Sequence, residues 1–234
     1  MWIVAEYEAT SLFSLKPANA TSSGGRTLLV PTPYAIKMAL LDVACRVDGV
    51  VMADALMDLL STVEVAIRPP ERVVVNNTFI KVLRPRRNPA KAGSADAGYF
   101  GRTIAYREYA QLDAPFAIAL QVETDEQAHQ LRDYLLMINY LGKRGGFIQI
   151  QDVPYHVEIL RDDFIRINGE IGQFGLDSIM TQLDDTGAGA TFEKVSVYSG
   201  KRITLGKERI LQHVVLPYRL VSSSRGYSYY ELNQ

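Results

Sequence analysis

The chain has 234 residues, enough to bury a sizeable hydrophobic core in one large domain or two small ones. Hydrophobic residues make up 47% of the sequence and charged residues 22%, which is typical of a globular protein. No apolar run reaches the roughly 18 residues that a membrane-spanning helix needs, and the N-terminus does not resemble a secretory signal. We therefore expect a soluble, cytoplasmic protein without a membrane partner.

The charge of the chain is segregated along the sequence. The formal net charge is only −1, but residues 72–107 contain eight cations against the single acid Asp96, so this segment carries +7 and the remainder −8. A basic segment on an acidic body is typical of a module that meets nucleic acid on one face and proteins elsewhere. A solvated loop without any partner is the alternative interpretation.

The sequence contains little that indicates metal or nucleophilic chemistry. The single cysteine, Cys45, excludes an internal disulfide and fits a buried thiol in a reducing compartment. The histidines His129, His156 and His213 lie far apart and have no metal-ligand spacing with Cys45, so we expect neither a metal nor a cofactor. Two acid pairs, 162–163 and 184–185, are interpreted as structural residues of turns.

Hydrophobic periodicity and capping residues predict the elements of the first two thirds of the chain. Thr32 and Pro33 mark one helix start, and Thr124 followed by Gln127 marks another. In chain order, we predict a strand at 2–9, a mobile loop at 16–26, helices at 35–47 and 52–60, strands at 63–67, 73–83, 103–109 and 116–122, a helix from Thr124 to about Tyr140 and a strand at 147–151.

Together these elements predict an α+β fold, with a ferredoxin-like (RRM-like) βαββαβ domain over 1–153. A basic, thumb-like hairpin arm, about 72–114, is inserted between its second and third strands. Helices should cover one face of the sheet and leave the opposite face free. Residues 154–234 should form a β-rich part packed on the first domain. There we expect strands at 156–160, 195–198, 210–216 and 227–232, a helix or turn at 177–183 and a loop at 184–190.

The glycine-rich segment 142–146 is a candidate phosphate site. Lys143 and Arg144 stand among three glycines, where bare backbone N–H groups can approach a phosphate closely. The alternative interpretation is a helix end, with Gly142 at the position after the C-cap. The segment does not match a Walker loop, which argues against nucleotide hydrolysis.

Four stretches, 31–40, 75–84, 139–147 and 216–227, resemble in order and spacing the Cas-five family of CRISPR-associated proteins. The resemblance implies a subunit of a type I CRISPR effector (Cascade) that binds the 5′ handle of the crRNA in antiviral defence. It further implies contacts with a backbone subunit (Cas-seven family) and the large subunit (Cas-eight family). Target DNA near the PAM-proximal end is another candidate partner.

On this basis we expect no catalytic residue and a set of RNA-binding residues. Tyr99 and Phe100 offer rings at the tip of the arm, and their partner is either RNA or protein. For Arg26 and Lys37 a solvated surface position is the alternative. The full set is Arg26, Lys37, Lys81, Arg84, Arg86, Arg87, Lys91, Tyr99, Phe100, Arg102, Gly142, Lys143, Arg144, Gly145 and Gly146.

The alternative function is a metal-independent endoribonuclease that processes precursor crRNA. In such an enzyme a His or Tyr deprotonates a ribose 2′-OH, and a Lys or Arg stabilises the developing charge. His156, expected near the glycine-rich segment, is the candidate base. Against this alternative, the sequence shows no convergent set of His, Lys and Tyr.

Overall fold

The structure, a computed structural model, describes residues 1–20, 24–171 and 175–233; residues 21–23 of the predicted mobile loop lie outside these ranges. Its helices are α1 (Pro33–Val47), α2 (Val50–Thr62), α3 (Asp125–Leu136) and α4 (Phe192–Val195). Its strands are β1 (Trp2–Ala9), β2 (Gly24–Gly25), β3 (Val65–Arg68), β4 (Arg72–Ala90), β5 (Gly98–Asp113), β6 (Phe116–Gln121), β7 (Ile148–Ile150), β8 (Tyr155–Val157), β9 (Ile165–Arg166), β10 (Ile179–Thr186), β11 (Arg209–Leu216), β12 (Tyr218–Ser223) and β13 (Tyr227–Leu232). Helices with mostly antiparallel strands confirm the α+β class.

The main sheet has the strand order β7-β1-β6-β3-β9, and β8 also pairs with β1. All of these pairings are antiparallel. Because successive side chains of a strand point to opposite faces, β1 sends Ile3, Ala5 and Tyr7 into the main core and turns Trp2 and Val4 to the other side. The sheet is therefore buried on both faces.

The helices pack on the first face, and the starts of α1 and α3 are the ones that the sequence predicts. The Thr32 side chain accepts a hydrogen bond from Ala35 N at 3.1 Å, and Thr124 accepts one from Gln127 N at 3.2 Å, which satisfies donors that the first helical turn leaves free. Tyr7 of β1 donates a hydrogen bond to the carbonyl oxygen of Leu135 at 2.8 Å and so connects the sheet to α3.

The opposite face of the main sheet is not free, contrary to the prediction. The segment after β8 crosses it and packs Leu160 and Phe164 against Trp2 and Val4. Trp2 is 3% exposed, and the Arg166 guanidinium lies 5.2 Å from the centre of its ring. The apolar side chains on this face require cover, and the chain supplies it, so this face is closed to single-stranded RNA.

The arm is a long two-stranded ladder formed by β4 and β5. Pairing runs from Arg72 with Asp113 to Pro85 with Phe100 and resumes at Ala90 with Gly98. The stretch predicted as turns is thus mostly strand, and only residues 91–97 connect the two strands. Pro85 is tolerated because the outer half of β4 is an edge strand, which does not need the missing N–H.

The last third of the chain contributes to two further sheets. β10 pairs with β11, and the sheet of the arm has the order β12-β13-β4-β5-β2. Two predictions for this region are wrong: residues 179–183 extend as part of β10 instead of forming a helix or turn, and the strand predicted at 195–198 does not form, because Val195 ends α4 and residues 197–198 are a turn. In the described ranges, no helix has both the length and the apolar character needed to cross a bilayer.

Candidate nucleic-acid interface

The glycine-rich segment 142–146 forms an exposed loop that is separate from the preceding helix. Helix α3 ends at Leu136, with Met137 as its C-cap, so Gly142 is not the residue after the C-cap and the helix-end interpretation is wrong. The loop is closed by hydrogen bonds from Leu141 N to Gly146 O at 2.9 Å and from Gly146 N to Lys143 O at 3.1 Å. The chain therefore turns tightly with Lys143 and Arg144 at its outer end.

Close packing at the base of the loop explains the glycine at its last position. A Cβ atom on Gly146 would lie 2.7 Å from the Leu141 carbonyl oxygen and 3.3 Å from the Phe13 ring. Ser11 fixes the same region, because its hydroxyl donates to Gly145 O at 2.5 Å and accepts from Phe147 N at 2.8 Å. Lys143 and Arg144 are exposed, and neither forms an ion pair within the described ranges.

A cavity of about 460 Å³ opens beside this loop, between the start of α1 and the segment 14–18. Its walls combine rings, cations and apolar side chains, including Lys16, Tyr34, Tyr140, Lys143 and Arg209. We name it the loop cavity. Its size and its apolar lining with a few polar groups are those of a small-ligand pocket.

Arg209 is held rigidly in the wall of the loop cavity. Its guanidinium lies 4.2 Å from the centre of the Tyr34 ring and forms a bond of 2.6 Å from Nε to Asp184 Oδ2. Burial raises the pKa of Tyr34, whose hydroxyl, like that of any tyrosine at neutral pH, is protonated and available as a hydrogen-bond donor. The cavity is thus preformed and offers a donor, a cation and an aromatic edge.

Sequence reasoning missed four residues of this cavity, namely Lys16, Tyr34, Tyr140 and Arg209. Tyr34 and Tyr140 do lie inside stretches that carry the family resemblance, which is a usable signal. Arg209 has no local signal, because it reaches the cavity only through the pairing of β11 with β10.

Lys37 does not belong to an RNA-binding surface. It is 1% exposed, and its Nζ lies 2.7 Å from Asp185 Oδ1 and 3.1 Å from Thr186 Oγ1. Both the RNA contact and the solvated position predicted for it are wrong, because the residues that bury it come from β10. Asp184 and Asp185 lie in that strand and not in a turn, although both are structural ion-pair partners as expected.

The cations of the arm divide into a free and a tethered set. Lys81, Arg84, Arg87 and Lys91 are exposed and form no ion pair in the part of the chain that the structure describes. Two others are tethered to Asp96, the single acid of the basic segment 72–107. Arg86 donates a hydrogen bond to Asp96 O at 3.1 Å, and Arg102 Nε lies 3.7 Å from Asp96 Oδ1.

One face of the arm carries exposed apolar side chains among its cations. Tyr99 and Phe100 are 61% and 57% exposed near the tip, as the sequence predicts, and as consecutive residues of β5 they point to opposite faces of the ladder. On the face of Phe100, the side chains of Phe79, Leu83 and Ile104 are also more than half exposed. The ladder sets Leu83 opposite Arg102 and Lys81 opposite Ile104, so cations and apolar groups alternate on this face.

The root of the arm is tied to the glycine-rich loop, but its tip is not. Ser11 contacts the glycine-rich loop. Two residues later, Phe13 exchanges backbone hydrogen bonds of 2.8 and 2.7 Å with Ala110 of β5. Arg102, near the tip of the arm, lies eight residues before Ala110 in β5 and roughly 25 Å from it. Arg26 is exposed and lines a second, more open cavity of about 780 Å³ with Tyr106. The predicted cations therefore form a path rather than one cluster.

His156 is not near the glycine-rich loop, contrary to the prediction. His156 pairs with Ile3 near the start of β1. Ile148, two residues after the glycine-rich loop, lies opposite Ala9 at the end of β1. Six residues of extended strand separate the two positions by roughly 20 Å. The ring centre of His156 lies 6.3 Å from that of His129. Within the described ranges, no group of His, Cys, Asp and Glu could hold a metal ion.

The comparisons with known proteins favour one family, although no family model matches the chain. The chain is 24% identical over 204 residues, 86% of either protein, to a protein of Archaeoglobus fulgidus named CRISPR-associated protein Cas5. This relative confirms the resemblance that the four stretches indicate. A chain of a CRISPR RNA-guided surveillance complex is 15% identical, with 92% of this chain and 88% of that chain covered and a TM-score of 0.48. A CRISPR protein from Archaeoglobus fulgidus is 13% identical, with coverages of 100% and 92% and a TM-score of 0.40.

Proposed function

We propose, starting from the likeness to Cas5, that this chain is a non-catalytic, cytoplasmic subunit of a type I CRISPR effector complex and binds the 5′ handle of the crRNA. Its partners would be the crRNA, the backbone subunit and the large subunit. The observation that carries the proposal is the placement of Lys143 and Arg144, two free cations on a glycine-rich loop, directly beside the loop cavity.

This placement matches the two requirements of single-strand RNA recognition. Phosphates need cations and accessible backbone, which the loop offers, and unstacked bases need apolar or aromatic walls with a few polar groups, which the loop cavity offers. We propose that the RNA backbone crosses the loop while one base enters the cavity near Tyr34 and Arg209.

The strand order supports a ferredoxin-like core. The first, second, third and fourth strands of the proposed βαββαβ unit are β1, β3, β6 and β7, and they lie in the order β7-β1-β6-β3. In this unit the helices follow the first and third strands, as α1 and α3 do. Because the face opposite the helices is covered, we place the RNA at the end of the sheet, on the loops, and not on that face.

The arm supplies the second part of the proposal. Its free cations suit RNA phosphates, and its apolar face suits a neighbouring protein subunit, so we propose that it lies at the junction of crRNA and the backbone subunit. Exposed apolar surface of this extent has no stabilising role in the isolated chain.

The experiment that tests the binding function is retention of an RNA containing the repeat-derived 5′ handle by the purified chain, compared with an RNA of the same length and scrambled handle. We expect preferential retention of the handle RNA that weakens with salt, because phosphate contacts release counterions. Equal, weak retention of both RNAs would contradict the proposal.

The same preparation tests the absence of catalysis. We propose no nuclease activity because the candidate base His156 lies roughly 20 Å from the loop that would hold the phosphate. Incubation of the full-length repeat RNA with the protein in EDTA should leave it intact. A specific cut that Lys143→Ala abolishes would support the endoribonuclease alternative instead.

A further inference from the structure

A groove on the helical side of the molecule is lined by exposed apolar side chains. It has a volume of about 480 Å³ and runs between the α1–α2 junction and the C-terminal end of α3, with Val47, Met52, Leu136 and Met137 in its walls. We name it the helical groove. These four side chains are 50%, 44%, 38% and 46% exposed, and the neighbouring Val50 and Val51 are 61% and 83% exposed. A contiguous apolar patch of this kind is typical of a protein interaction site.

The floor of the helical groove is preformed. The hydroxyl of Tyr134 donates to Asp48 Oδ2 at 2.5 Å and accepts from Gln130 Nε2 at 3.3 Å, which joins α3 to the end of α1. At the rim, Arg46 donates to the carbonyl oxygen of Met137 at 3.4 Å while it pairs with Asp42. A partner would therefore meet fixed walls and would not need to order them.

The surroundings of the helical groove are acidic. Residues 42–64 contain five acids against Arg46, and residues 123–137 contain four acids against Arg132. Asp48 and Asp133 line the groove itself, and the two segments that form its walls carry net charges of −4 and −3. Phosphates would be repelled here, which excludes RNA and DNA as the occupant, and a second copy would bring the same acids to the same place.

We propose that the helical groove binds a basic amphipathic helix of a protein partner. Its apolar side chains, spaced at i, i+3 and i+4, would enter between Val47, Met52 and Met137, and its Lys and Arg residues would face the acids of the rim. This interaction is distinct from RNA binding and goes beyond the proposed function, since it uses the opposite charge and the other end of α1.

The test uses a synthetic helix-forming peptide of about 18 residues, with Leu along one face and Lys on both flanks. Two comparison peptides replace Lys by Glu or Leu by Ser. Fluorescence anisotropy with the full chain should give binding of the first peptide, and each comparison peptide should bind at least about tenfold more weakly. Equal binding of the Leu→Ser peptide would show that charge alone determines binding. Equal binding of the Glu peptide would show that the acidic rim does not contribute. Either result overturns the proposal.

Variants assign the site. Val51→Ser combined with Met137→Ser should weaken the first peptide at least about fivefold, whereas Val197→Ser, which changes an equally exposed valine elsewhere, should not. Unchanged binding by the double variant overturns the proposal, as does a concentration-dependent dimer that the double variant abolishes. Retention of handle RNA by the double variant should equal that of the wild type. If the wild type binds the peptide but no RNA, the proposed RNA-binding function is contradicted and the proposed peptide site in the helical groove is not.

Discussion

Lys37 of α1 and Asp185 of β10 form an ion pair of 2.7 Å from which solvent is almost entirely excluded. Burial lowers the pKa of Lys37 and raises that of Asp185, while their mutual attraction opposes both shifts. The pair therefore joins the helical layer to the last third of the chain at a considerable desolvation cost, which the attraction offsets only when both partners are present.

Removing one partner of this pair should be much worse than removing both. Lys37→Met leaves Asp185 buried without its cation and should lower the free energy of unfolding by about 3–5 kcal/mol. Lys37→Met with Asp185→Leu should recover most of that loss, because two apolar side chains replace two buried charges. Urea unfolding of both single variants and the double variant provides the cycle, and additive losses would contradict the buried-pair account.

The glycine-rich loop should bind RNA phosphates. Lys143→Ala with Arg144→Ala should weaken retention of handle RNA and reduce the slope of log K against log salt by about 0.7 for each phosphate that is no longer neutralised. The fold should be unaffected, because both side chains are exposed. Arg202→Ala with Lys207→Ala removes two exposed cations elsewhere that likewise form no ion pair in the described ranges, and is the matched control. An unchanged slope would remove the loop from the RNA interface.

The loop cavity should accept one base. RNAs with a single abasic position at each handle nucleotide should identify one position at which removal of the base weakens binding by about 1–3 kcal/mol. Ala35→Phe, which places a ring in the cavity, should weaken binding of the intact RNA and erase the difference at that position. Val47→Phe on the same helix lies outside the cavity and should preserve the difference at that position. A uniform abasic profile in the wild type would show that no base enters.

The arm should be cut by trypsin at one place first. Lys91 lies in the connection 91–97, whereas Lys81 lies in the paired ladder, and proteases need a locally unfolded substrate. Lys91→Gln should slow the first cut, while Lys81→Gln should not, as followed by mass spectrometry of early fragments. Assembly with guide RNA and the backbone subunit should protect Lys91; early cutting at Lys81 would mean that the ladder opens.

Glu208 should make the region around α4 sensitive to acid. Hydrogen bonds from Lys194 and from the backbone N of Thr204 hold the pKa of Glu208 at about 2, below its ordinary 4.5. A depressed carboxylate pKa stabilises the fold above the unfolded value, and this stabilisation disappears as the pH falls from about 4.5 towards 2. Thermal unfolding of Glu208→Gln should show lower stability at pH 7 and a shallower decline in that window. Glu193→Gln, which removes an exposed carboxylate, should retain the wild-type profile.

Local signals account for what could be predicted from the sequence. The strand at Trp2–Ala9, the strand at Tyr227–Leu232 and the caps Thr32 and Thr124 follow from alternation and capping chemistry, which act within a few residues. The burial of Lys37 depends on a partner in β10, and the loop cavity depends on Arg209 in β11. No local pattern reports such distant neighbours. The sequence predicts that β4 stops before Pro85, because an edge position, where proline is harmless, cannot be recognised in advance.

The pairing of β13 with β4 has a consequence for the order of folding. β4 and β5 are joined by a short connection, so the outer ladder closes with little loss of chain entropy. The root is different, because Arg72 lies opposite both Asp113 and the distant Glu231. Contacts between residues so far apart form slowly. In pulse-labelled hydrogen exchange, the amides of the outer ladder should therefore gain protection before those of residues 72–76. The root of the arm should become ordered last.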